Sequence, residues 1–211
     1  MASSLIHVAV CNELNKKLKR DTKKILIGTV APDISKLIGE TKKHTHFLIS
    51  DDENIPDLDK FLSKYKDNLD DDFVLGYYIH LFTDYLWFKY FMSEIYDKDK
   101  RLVTKLDGTE VECYGQMLVL YIYNDYTNLN YSLTKEYNLD MSFLYEEIPI
   151  FDDIIKEAHM DKLNIVIDKF REIYENSKIH KDMIFNMDNV NKFIDLSIKL
   201  ISTNLEELKL L

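Results

Sequence analysis

The longest apolar run in the chain lies between Phe73 and Phe88, and only two of its side chains, His80 and Asp84, bind metal well. The run is long enough for several helical turns. With the acidic start Asp70-Asp71-Asp72, which suits the positive end of a helix dipole, it predicts a central helix over residues 72–96. Ahead of it, Leu5, Val8, Ala9 and Leu14 make an apolar face on a helix over residues 4–20, with His7 and Cys11 beside that face. Residues 23–30 read as a short apolar helix ended by Ala31-Pro32-Asp33, and residues 34–38 as a connecting turn. Pro56 opens a helix that runs through Tyr65, with Phe61 and Leu62 facing inward. Residues 102–112 alternate around Asp107-Gly108, a strong hairpin signal, and predict a small β-hairpin inserted between helices. Residues 116–137, 148–176 and 187–210 read as three further helices, the last two amphipathic with polar outer faces. The pattern is that of one all-α domain over residues 1–211, a single-domain helical bundle carrying one small hairpin.

Composition agrees with this. Five Gly and three Pro are too few for many tight turns between strands. A chain of 211 residues with 46 % hydrophobic content can bury a core of its own. The formal charge of −10 argues against a general binder of nucleic acid or of anionic membranes. The local basic cluster from Lys16 to Lys24 reads as a solvated helix end. Cys11 and Cys113 are neither a disulfide framework nor a zinc-finger pattern, and Cys11 reads as a small buried hydrophobe. The start of the chain lacks a basic leader, and no uncharged apolar run reaches the ~20 residues of a membrane span, so the expected location is cytoplasmic.

Candidate chemistry centres on His80 and Asp84. Four positions apart on a helix, they lie on one face about 5–6 Å apart at Cβ, where both reach one cation. The same spacing also lets a buried His and Asp satisfy each other by hydrogen bonding. His7, Asp33 and His46 lie in comparably apolar settings on earlier elements. Three imidazoles and two carboxylates suit zinc, iron or manganese better than magnesium or calcium, which prefer oxygen. His44, two positions from His46, reads as exposed or supporting. Asp125, among tyrosines, is a candidate for a second ion or for substrate contact, or is a hydrogen-bonded buried Asp. His159 and His180 stand in polar contexts and read as surface residues.

The strings Gly28-Thr29-Val30-Ala31-Pro32-Asp33, Thr45-His46-Phe47 and Gly76-Tyr77-Tyr78-Ile79-His80-Leu81-Phe82-Thr83-Asp84, together with His7, resemble the metal-binding frame of the zinc-dependent phospholipase C proteins. They are similar in particular to the short bacterial relatives labelled HD-type hydrolases, over roughly residues 1–90. The resemblance implies an all-α fold of the phospholipase C type around a zinc cluster that binds a phosphodiester. By position it implies one metal on His46, His80 and Asp84, with Asp84 bridging to a second on His7. Asp33 would be a further ligand or the general base. The cation would bring the pKa of a water from 15.7 towards ~7 and neutralise charge on phosphoryl oxygens. That family's processed N-terminal Trp ligand, and its later His and His-x-x-x-Glu ligands, have no counterpart here, so the expectation is one or two ions. The function implied is hydrolysis of a phosphate monoester or diester, in a small molecule or a lipid head group. The alternative is a non-catalytic helical scaffold or binding module with a structural or degenerate metal site.

Overall fold

The computed structural model describes residues 1–179 and 181–211; His180 lies outside the described residues. Helix α1 (Ser4–Leu18) starts where the Ser3 side chain accepts the Ile6 amide and stops where Lys19 turns left-handed at φ 57°. Helix α2 (Thr22–Val30) is capped by Asp21, whose carboxylate accepts the Lys24 amide at 3.0 Å. A single 3-10 turn at Ala31–Asp33 leads into the one-turn α3 (Ile34–Leu37). After a loop, Asp57 caps α4 (Leu58–Tyr65).

Asp71 caps α5 (Asp72–Leu86) by accepting the Phe73 and Val74 amides at 2.9 and 3.0 Å. From Phe73 to Leu86 almost every residue of α5 is buried. The helix continues through a π turn, Trp87–Phe91, into α6 (Met92–Ile95). That wider turn was not expected from the sequence. It brings Trp87 and Phe91 onto one side, stacked at 4.1 Å, against Phe185 and Phe193. Strands β1 (Tyr96–Asp97), β2 (Leu102–Thr104) and β3 (Glu110–Glu112) form an antiparallel sheet in that order. The expected hairpin pairs Val103 with Val111 around Gly108 at φ 81°, and β1 adds an unexpected third strand. Helix α7 is Gln116–Glu136, α8 is Leu163–Glu175 and α9 is Met187–Glu207.

One expected helix is shorter than its pattern. Of residues 148–176, only Leu163–Glu175 is α-helical; the part before it is extended chain with two 3-10 turns. His159 sits left-handed at φ 49°, a conformation no α-helix admits. Glu157 is held instead by Lys64 Nζ and the Tyr65 hydroxyl, each at 2.6 Å. Tertiary contacts to α4 therefore override the local preference.

The layer that positions the polar cluster is the pair α2 and α5, with α1 packed on both. The two helices touch backbone to backbone. A Cβ at Gly28 would stand 2.2 Å from the Phe73 carbonyl oxygen, and one at Gly76 would stand 2.1 Å from that of Ile25. Thr29 Oγ1 lies 2.9 Å from the Ile25 carbonyl and 3.2 Å from that of Gly76, across the same seam. Among the described residues no helix is long and apolar enough to cross a membrane.

Candidate metal centre

The cluster is assembled from four separate pieces of chain. His7 comes from the middle of α1, Asp33 from the turn after α2, His46 from a turn over residues 42–47, and His80 and Asp84 from α5. The turn that carries His46 opens with the His46 amide donating to the Lys42 carbonyl at 2.8 Å. It ends at Phe47, left-handed at φ 55°, a strained conformation for a bulky residue. Phe47 is buried against Phe61, Tyr65 and Tyr77, and the Tyr77 hydroxyl donates to the Thr45 carbonyl at 2.5 Å. This packing holds the strained turn and turns His46 inward.

His7, His46, His80 and Asp84 are buried, and the Asp33 side chain is 14 % exposed. The imidazoles of His7 and His80 stack with centroids 3.8 Å apart and planes 12° apart. Asp84 lies between the histidines. Its Oδ1 is 3.3 Å from His7 Nε2, and its Oδ2 is 3.6 Å from His46 Nε2 and 3.8 Å from His80 Nε2. His46 Nε2 is also 3.6 Å from Asp33 Oδ1. Asp84 Oδ1 accepts the Ala2 amide at 2.9 Å.

A hydrogen bond assigns the His80 tautomer. His80 Nδ1 lies 2.7 Å from the Thr29 carbonyl, which only accepts, so Nδ1 carries the proton and Nε2 is a bare lone pair. The Thr45 hydroxyl lies 2.9 Å from His46 Nδ1, much closer than its 3.5 Å contact to the Lys42 carbonyl. His46 Nε2 and His80 Nε2 lie 3.2 Å apart, a contact that either a proton on His46 Nε2 or a cation between the two nitrogens satisfies. Both ring nitrogens of His7, Asp33 Oδ1 and Asp84 Oδ2 are buried with no hydrogen-bond partner. Leaving such groups unsatisfied costs about 1–3 kcal/mol each, and more where charge is involved. An ion at the cluster would satisfy Asp33 Oδ1 and Asp84 Oδ2, but not both nitrogens of His7.

The sets His7, His80, Asp84 and Asp33, His46, His80 each bring one ligand atom per residue within 4.8 Å of the others, so the structure gathers His7, Asp33, His46, His80 and Asp84 in one place. Because His80 Nδ1 is committed to Thr29, His80 has one nitrogen to give and serves one ion. The remaining candidates are elsewhere. Asp125 accepts the Met183, Ile184 and Phe185 amides at 2.7–3.0 Å and the Asn124 side-chain amide, so its carboxylate clamps the chain ahead of α9 to α7. His44 is exposed and in neither set. His159 is half-buried and pairs with Glu40 at 3.1 Å. Cys11 is buried, and burial pushes its thiol up to about 12.

Two supporting groups escape a reading by residue type. The Thr29 carbonyl that fixes His80 is a backbone atom, which no residue type announces. The Thr45 hydroxyl that orients His46 stands next to it in sequence, and that adjacency was the one available signal.

Electrostatics follow from burial. Burial, with the charge of Lys42, pushes the His46 imidazole down from 6.5 to about 4, and burial beside His7 holds His80 well below its ordinary value. Burial alone would raise both carboxyls, but a hydrogen bond with His46 and the influence of His80 and Lys42 outweigh it at Asp33, and the chain's amino group and His7 outweigh it at Asp84, holding both below the usual carboxylate range. The unfolded chain therefore takes up histidine protons near pH 6.5 while folded His46 waits until about 4. Stability of the metal-free protein should fall as pH drops through that window, by on the order of 3 kcal/mol from His46 alone. Urea unfolding of chelator-stripped protein at pH 7.0, 5.5 and 4.5 checks this; a flat profile would mean that His46 is not buried and neutral. Compared with known proteins, the chain matches no family model, no curated protein and no solved structure.

Proposed function

We propose that the chain is a metal-dependent hydrolase of phosphate esters, with one transition-metal ion, zinc first and iron or manganese next, held by His46, His80 and Asp84. The observation that carries the reading is the spacing of the ligand atoms. Donors on a tetrahedral zinc at ~2.0–2.1 Å lie about 3.3 Å from one another. The four edges measured among His46 Nε2, His80 Nε2, Asp84 Oδ2 and Asp33 Oδ1 are 3.2, 3.6, 3.6 and 3.8 Å. The resemblance of residues 1–90 to the zinc-dependent phospholipase C proteins points the same way.

When bound, such a cation supplies Lewis acidity, drawing charge from a phosphoryl oxygen and acidifying a nearby water. The chain does the rest. His80 is held in its lone-pair tautomer by Thr29, so it need not shed a proton to act as a ligand, and Thr45 orients the His46 ring through Nδ1. Asp33 is the one member of the cluster open to solvent. There it accepts the proton of the attacking water at its other carboxylate oxygen, Oδ1 being buried, and holds that water in line with phosphorus. His7, stacked on His80, keeps that ring in the plane that aims Nε2 at His46.

The second reading is a structural site. With Asp33 Oδ1 3.6 Å from His46 Nε2, Asp33 also stands where a fourth ligand would close the tetrahedron and leave no position for water. Elemental analysis of purified wild type beside His80→Ala tests whether the metal is there. About one zinc, iron or manganese per chain is expected in wild type and less than about a tenth of that in the variant. Wild type that takes up none of the three after incubation with each overturns the reading.

A further inference from the structure

The two oxygens of the Asp84 carboxylate have different surroundings. Oδ2 is buried with no hydrogen-bond partner and lies 3.6 Å from His46 Nε2 and 3.8 Å from His80 Nε2. Oδ1 is committed to the start of the chain, where it accepts the Ala2 amide at 2.9 Å, with His7 Nε2 at 3.3 Å.

The donor is itself held from behind. The Ala2 amide belongs to the Met1–Ala2 peptide unit, and the carbonyl of that same unit accepts the Tyr126 hydroxyl, from α7, at 2.5 Å. The peptide is trans and planar, so its C=O and N–H point to opposite sides and neither turns without the other. One rigid plane therefore links Tyr126 to Asp84. A hydroxyl donating to the carbonyl also polarises the amide and strengthens its bond to the carboxylate. The line is dry along its length: Ala2 and Asp84 are buried, and Tyr126 is 7 % exposed. The Tyr126 ring is fixed between Trp87 and Phe185, with centroids 5.9 and 5.6 Å away. The Tyr78 and Tyr137 hydroxyls, by contrast, end on Asn204 and Asn191 of α9. A carboxylate with both oxygens free can swing, or grip an ion through both. With Oδ1 tied to Ala2, Asp84 has Oδ2 alone to give.

We propose that Tyr126 is a positioning residue for Asp84: acting through the Met1–Ala2 peptide, it ties Oδ1 and presents Oδ2 as a single-oxygen ligand. The inference rests on the metal-ion reading of the cluster and adds to it the manner in which Asp84 binds.

The test is zinc affinity, by competition with a chromophoric chelator, and the visible spectrum of the cobalt-loaded protein, for wild type, Tyr126→Phe, Ala2→Pro and Tyr137→Phe. Tyr126→Phe keeps the ring on Trp87 and Phe185 and removes the hydroxyl. Ala2→Pro removes the donated amide and leaves Tyr126 in place. Tyr137→Phe takes a hydroxyl from the end of α7 that bonds Asn191, and is the control. Zinc affinity about tenfold lower or more is expected in Tyr126→Phe and in Ala2→Pro, the loss usual for a ligand's hydrogen-bond partner, and within about threefold of wild type in Tyr137→Phe. The cobalt bands should change in the first two and not in the third, because a released Oδ1 that also reaches the ion raises its coordination number. Wild-type affinity and spectrum in either Tyr126→Phe or Ala2→Pro overturn the inference and leave the metal centre standing. Equal weakening in all three variants with unchanged bands makes the effect one of packing and overturns it too. If Tyr126→Phe does not fold, Ala2→Pro decides by the same two readouts. Wild type that takes up neither zinc nor cobalt overturns both readings.

Discussion

Asn in place of Asp33 should leave the metal in the protein and lower phosphoester turnover by roughly two to four orders of magnitude, the range a positioned general base supplies. The substitution keeps the shape and removes the proton acceptor. Three donors, His46 Nε2, His80 Nε2 and Asp84 Oδ2, remain within 3.8 Å of their neighbours to hold the ion. Asp33 is the one carboxylate of the cluster with side-chain exposure, and with its carboxyl held below the usual range it is ionised at neutral pH, a weak but permanently available proton acceptor. The measurement is kcat on a generic aryl phosphate or phosphodiester, together with metal content of the same preparation. Loss of metal along with activity would instead make Asp33 the fourth ligand of a closed site, and the scaffold reading would then replace the enzyme. Metal retained with activity intact would remove Asp33 from the mechanism altogether.

Gly76→Ala, like Gly28→Ala on the facing helix, should be strongly damaging for a single methyl. Its Cβ would stand 2.1 Å from the Ile25 carbonyl oxygen and 2.9 Å from the Thr29 nitrogen, both backbone atoms that no side-chain rotation can move aside. Alanine favours a helix over glycine by about 1 kcal/mol, but that gain is small against an overlap with a neighbouring helix. Separating α2 from α5 also stretches the bond between the Thr29 carbonyl and His80 Nδ1, one turn further along α5. We expect a loss of about 3 kcal/mol or more, which for a chain of this size is roughly 6–12 °C in Tm, with weaker metal retention. Thermal unfolding of both proteins, each metal-loaded and stripped, checks this. A Gly76→Ala protein as stable as wild type would mean that the two helices do not meet at this seam.

The ligand residues are legible because their types are rare in apolar surroundings. His80 and Asp84 interrupt the longest apolar run, and helix periodicity alone puts them on one face. What decides their chemistry is not legible. The bare Nε2 of His80 depends on a carbonyl of α2, 51 positions away, and the glycines that let α2 come so close are indistinguishable in sequence from helix-weakening ones. Asp125 left two readings open, a ligand or a hydrogen-bonded buried Asp, and three backbone amides on its carboxylate decide for the second. The segment before α8 carries an apolar pattern compatible with a helix, and the bonds from Glu157 to α4 decide against it. The π turn at Trp87–Phe91 has no local signature, and its rings pack on Phe185 and Phe193, some hundred positions later.

On the proposed reading, an ion held by residues from distant stretches would make ion availability a thermodynamic variable of the fold. His46 and His80 are 34 positions apart, so an ion gripping both closes a long loop, as a disulfide would, and does so only in the folded chain. Stability then rises with free ion as the logarithm of its excess over Kd, about 4 kcal/mol at a thousandfold excess. The same cross-link is reversible at constant redox potential, because a chelator opens it and added metal restores it. The folded population would in this way follow the free concentration of the ion, independently of any turnover at the site.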